Sequence, residues 1–146
     1  MQSTSDIAVQ KFSTGFNCAQ SVLSSFSSAL GLDEKTASKI ACGFGAGMGR
    51  QQEVCGAVTG GIMAIGLKFG NISGDDRESK EKTYALTREL IDRFTQERGS
   101  CSCRKLLNGC DLSTEKGQKE FRDKDLHNGV CKGCVKSAVE IVGEMV

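Results

Sequence analysis

The chain of 146 residues carries 19 lysines and arginines against 18 acids, a formal net charge of +1, so its charge gives no case for a nucleic-acid or anionic-membrane partner. It has neither tryptophan nor proline, but it has eight cysteines. A chain this long can bury enough core not to need them as staples, and it reads as one compact domain over residues 1–146.

No segment sustains the period-two alternation of a strand, so the expected fold is all-α. A short helix is expected from Thr4 to Phe12. The next starts near Asn17 and carries Ala19, Val22, Leu23, Phe26, Ala29 and Leu30 at helical spacing before Gly31. Asp33 is placed to cap a helix through Ile40 and Ala41, which Gly43 ends. The glycine-rich loop GFGAGMGR follows. From about Glu53 to Phe69 the chain is apolar on nearly every face and rich in small residues, which marks this helix as the central one. The longest helix is expected from about Asp76 to Glu97, with Tyr84, Leu86, Leu90, Ile91 and Phe94 as its apolar stripe. Short helices from Ser102 to Asn108 and from about Ser113 to Asp125 lead to a last one from about Asn128 to Met145, with Val135, Ala138, Val139 and Val142 inward.

The opening MQSTSDIAVQKF lacks the basic start and apolar stretch of an export signal. The longest uncharged apolar run, Val54 to Leu67, is shorter than the roughly 20 residues that a bilayer needs. The expectation is a cytoplasmic protein without a membrane span, where cysteines point to metal or redox chemistry more than to structural disulfides.

On this map the cysteines divide. Cys18 follows the candidate cap Asn17, Cys55 opens the apolar helix, Cys103 follows Ser102, and Cys131 falls in the first turn of the last helix. Unpaired backbone N–H groups and the positive end of the helix dipole stabilise a thiolate at such positions. Cys55 is expected to be the most acidic of the eight, with Arg50 nearby and a glycine-lined approach from Gly56, Ala57, Gly60, Gly61 and Ala64. Burial in the apolar helix would oppose this.

Other motifs are weaker. GFGAGMGR begins like a dinucleotide loop, but Met48 stands where the third glycine belongs and no strand precedes it. CSC (101–103) and CKGC (131–134) resemble two halves of a zinc site, which makes Cys101 and Cys134 alternate ligands. The only histidine, His127, reads as a solvated loop residue.

Taken together, GFNCAQSVL, ACGFGAGMGR, CGAVTGGIMAIGLKFG, CRKLLNGCDL and CKGCVKSAVEI resemble the C_GCAxxG_C_C family of cysteine-rich, redox-active proteins. The resemblance runs from about residue 10 to 145 and implies four functional cysteines: Cys18, Cys55, Cys103 and Cys131. In the last motif the family usually has another residue where this chain has Cys134. A similar domain occurs in a split-Soret type cytochrome, which implies iron–sulfur ligation as one role for these thiols.

Three functions stay open from the sequence. The first is redox chemistry by convergent thiolates, through dithiol/disulfide cycling or an iron–sulfur cluster, as a thiol oxidoreductase or an electron carrier. The second is a four-cysteine zinc site. The third is a structural helical interaction domain with inert buried thiols. The redox partner is unidentified, and a homodimer stays open.

Overall fold

A computed structural model describes residues 1–146 and is all-helical. Eight helices follow in order: α1 (Thr4–Ser13), α2 (Cys18–Ser27), α3 (Glu34–Ala41), α4 (Gly56–Phe69), α5 (Arg77–Arg98), α6 (Cys103–Leu106), α7 (Glu115–Asp123) and α8 (Lys132–Gly143). A π-helical turn, His127–Cys131, runs directly into α8. The only β pairing is an isolated antiparallel bridge between Val54 and Ser102. No helix is long and apolar enough to cross a membrane.

The expected helix starts are fixed by side-chain caps. Ser3 and Asn17 form capping boxes with Asp6 and Gln20, while Asp33, Asp76, Ser102 and Thr114 each accept a backbone N–H of the helix they precede. Each such cap is worth about 1 kcal/mol. The apolar helix begins at Gly56 rather than Glu53, because Val54 is taken by the bridge and Cys55 becomes the N-cap.

α4 is the central helix, packed on α2, α5 and α8; α1 packs on α2 and α8, and α3 on α2. Its residues Gly56, Ala57, Val58, Gly60, Gly61, Ala64 and Ile65 are buried. The partners supply Val22 and Leu23, Leu90 and Phe94, and Val135, Ala138, Val139 and Val142. Of the stripe expected on α5, Tyr84 is half exposed, since that helix outruns the core at its N-terminal end. Gly60 lets α2 and α4 meet backbone to backbone: a Cβ there would lie 2.7 Å from the Ala19 carbonyl oxygen. A smaller cluster of Cys103, Leu107, Cys110 and Leu112 forms beside the main core and touches Val130 and Cys131.

Candidate functional site

Between the two clusters lies a cavity of about 330 Å³. Cys18, Cys55, Cys103, Cys131 and Cys134 all line it. The four cysteines expected from the sequence are therefore brought together, along with the alternate Cys134. Cys101 is not among the lining residues and packs against the main core, while Cys42 is exposed and Cys110 is buried in the smaller cluster.

Local chemistry puts each thiol there. Cys18 is the first residue of α2, and its cap Asn17 also donates its side-chain N–H to the Cys42 carbonyl at 2.9 Å, tying the helix start to the loop after α3. Cys55 and Cys103 are set by the short antiparallel pairing around Val54 and Ser102. There the Cys55 N–H donates to the Cys101 carbonyl and the Cys103 N–H to that of Glu53, each at 2.7 Å. Cys131 ends the π turn and Cys134 stands three residues on, in the first turn of α8.

The expectation of thiols at helix starts holds for Cys18, Cys55 and Cys103 and fails for Cys131. Cys131 has helical dihedrals inside backbone that is already coiled from His127, so it does not occupy the free N–H end. His127 is likewise not a solvated loop residue. It opens that turn half-buried, stacked on Phe12 with ring centroids 3.9 Å apart.

The loop facing the thiols is a left-handed turn, with Ala46, Gly47, Met48, Gly49 and Arg50 all at positive φ. Left-handed backbone costs a non-glycine residue about 1–2 kcal/mol. The strain is held by Gln52, itself at φ 57 and only 2 % exposed. Its amide donates to the Cys110 carbonyl at 2.7 Å and accepts the Leu112 N–H at 2.8 Å. At Gly47 the turn passes so close that a Cβ would fall 2.6 Å from Gln52 Cα and 2.8 Å from Cys103 Cβ.

The electrostatics separate the thiols. Cys55 is held below the ordinary thiol value, first by a hydrogen bond from Cys134 and then by the N–H groups of Ala57 and Val58, against the opposing effect of burial. Cys134 is pushed up by that same hydrogen bond, by burial and by the charges of Cys55 and Cys131, with the Arg98 guanidinium opposing. Cys18 is raised well above its usual value by a hydrogen bond with Cys131 and by burial. Burial, together with the charges of Cys55 and Cys131, pushes Cys103 up to about 12. The helix start and Arg50 both underlie the expectation of an acidic Cys55, and of these two only the helix start is among the groups that lower it. The groups that lower it are the α4 start and Cys134, and the signal for Cys134 was the i, i+3 spacing in CKGC, which puts two thiols on one helix face.

Thiolates are the ligands that iron–sulfur clusters and structural zinc take. Yet no three cysteine, histidine, aspartate or glutamate side chains are grouped so as to share one ion. All eight cysteines are free. The donor set matches such a group in chemistry and not in placement.

A family model described as "Putative redox-active protein (C_GCAxxG_C_C)" matches residues 16–145. No curated protein and no solved structure matches the chain.

Proposed function

The chain belongs to the C_GCAxxG_C_C family, and on that premise we propose that it is a redox-active protein that works by dithiol/disulfide exchange at Cys55 and Cys134. The observation that carries this reading is that Cys55 and Cys134 line one cavity and shift each other's ionisation in opposite senses. Cys55 is held toward the thiolate and Cys134 toward the thiol.

The two thiols divide the work of thiol–disulfide exchange. The Cys55 thiolate attacks one sulfur of a partner disulfide, forms a mixed disulfide and expels the other partner sulfur as a thiolate, which takes up a proton. Forming that bond removes the charge on Cys55. The two Cys55 contributions that held Cys134 protonated then vanish, while Arg98 still favours its thiolate. Cys134 loses its proton and attacks the Cys55 sulfur, releasing the second partner thiol. Two electrons have then moved from the protein to the partner, with one proton from Cys134 and one from solvent, leaving a Cys55–Cys134 disulfide. Cys18, which Cys131 and burial hold toward the thiol, lines the same cavity with Cys131, and Cys103 lines it as a buried thiol.

The test is to oxidise the reduced full-length chain mildly and map the bond by peptide mass analysis. A Cys55–Cys134 bond is expected to form first. A first bond joining any of Cys42, Cys101 or Cys110 would sink the assignment.

A second reading rests on the cavity holding five cysteines, more than one redox pair requires. In it the cavity thiols rearrange around an iron–sulfur cluster or zinc. It differs from the first in what the protein contains when isolated without oxygen.

A further inference from the structure

We propose that the disulfide reduced at this site is a small anionic molecule with an apolar body, a disulfide bearing carboxylates, received by Arg50 and Arg122. The inference rests on the dithiol reading of Cys55 and Cys134 and adds the substrate class.

Three observations carry it. First, Cys55 is 5 % and Cys134 1 % exposed, so a partner sulfur reaches them through the cavity they line, and a cavity of about 330 Å³ has the size of a small-molecule site. Secondly, the walls are apolar through Phe12, Leu106, Leu107 and Phe121, yet two arginines line them and no carboxylate does. Neither Arg50 nor Arg122 is in an ion pair; the acids of this chain that are paired pair elsewhere, with Lys11, Arg93, Lys119 and Lys124. A guanidinium presents a planar fork of donors that matches a carboxylate. Thirdly, Arg50 sits at φ 68, the last of five successive left-handed residues, so strained backbone delivers it to the cavity. Strain of this kind persists only where the surrounding structure holds it, and it gathers at ligand sites.

The bond changes are those of the exchange already described. The incoming disulfide is the oxidant, it leaves as two thiols, and its two electrons come from Cys55 and Cys134. The arginines touch the carboxylates and not the sulfurs, so they set affinity and orientation.

The experiment uses the reduced full-length chain and three disulfides of similar size: the dianion dithiodipropionate, neutral hydroxyethyl disulfide and the dication cystamine. Each rate is divided by that of the same disulfide with dithiothreitol, which removes differences in leaving-group reactivity. The dianion is expected to lead the neutral probe by about tenfold or more at low salt, with the dication slowest, since charge focusing in a low-dielectric cleft raises association by about 10–1,000-fold. In the double variant Arg50→Gln/Arg122→Gln the dianion-to-neutral ratio should fall to about one. Both positions are exposed, and glutamine keeps the Cβ already accommodated at φ 68, so the helical circular dichroism should be kept. Equal normalised rates for the three probes, or a dianion preference that survives in the double variant, would overturn the substrate class and leave the dithiol reading standing. No reaction with any of the three would overturn the dithiol reading itself.

Discussion

In the reduced protein, alkylation of Cys55 should reach half its maximal rate at a lower pH than alkylation of Cys103, Cys110 or Cys134. The thiolate is the species alkylated, so the profile follows ionisation. Cys55 is the thiol that its surroundings shift down, because the Cys134 S–H and two N–H groups at the start of α4 all stabilise the anion. Cys103 and Cys110 are shifted up chiefly by burial, and Cys134 chiefly by its hydrogen bond to Cys55. Variants divide the causes. Cys134→Ala removes the donor and should move the Cys55 profile to higher pH, whereas Cys134→Ser keeps a hydroxyl donor and should move it less. Cys55→Ser should abolish disulfide cycling at the cavity, since serine is nearly isosteric but no nucleophile toward sulfur. A Cys55 profile at or above that of Cys110, or one unmoved in Cys134→Ala, would show that the pairing does not control this thiol.

One substitution made twice in the same helix is expected to act with opposite signs. Gly60→Ala places a methyl group 2.7 Å from the Ala19 carbonyl oxygen and 3.1 Å from its Cα. Both are backbone atoms of α2, so no rotamer change relieves the overlap, and the two helices must separate. Overpacking costs about 1–3 kcal/mol, and with backbone on both sides the upper end applies. Alanine recovers about 1 kcal/mol of helix propensity over glycine. The net loss is about 2 kcal/mol, read as a melting temperature lower by about 4–8 °C. Gly66→Ala in the same α4 meets nothing within 4 Å, so the propensity gain stands alone, and the variant should melt a few degrees higher, at roughly 2–4 °C per kcal/mol. The link to the site is that α2 carries Cys18 to the cavity wall, so separating α2 from α4 should also displace Cys18 there. Thermal melts of the two variants that shift in the same direction would show that the crossing is not set by Gly60.

Much of this was legible in the sequence. The caps Asn17, Asp33, Asp76 and Ser102 mark helix starts because short polar side chains satisfy the N–H groups that a helix leaves open. The small residues of α4 announce a close crossing, and the helix-start cysteines Cys18, Cys55 and Cys103 come to one cavity. What stayed hidden depends on geometry that local pattern does not encode. The π turn at His127–Cys131 starts the last helix earlier than Asn128 would and takes Cys131 off its free end. A π turn has no strong residue signature of its own. The left-handed run from Ala46 to Arg50 includes three non-glycine residues, so glycine content alone located the loop but not its hand. The sequence offers Cys134 only as an alternate ligand, because its place beside Cys55 on the cavity wall depends on the packing of α8 on α4.

The central claim is that Cys55 and Cys134 act as a redox dithiol. Purification of the full-length chain without oxygen, followed by thiol titration, metal and sulfide analysis and an absorption spectrum, tests it most directly. The account predicts a colourless protein with all eight thiols titratable once unfolded and no stoichiometric metal, and a loss of two thiols on mild oxidation that reductant restores. Iron with acid-labile sulfide and sulfur-to-iron charge-transfer absorption, or stoichiometric zinc with the cavity cysteines protected from alkylation, would contradict it.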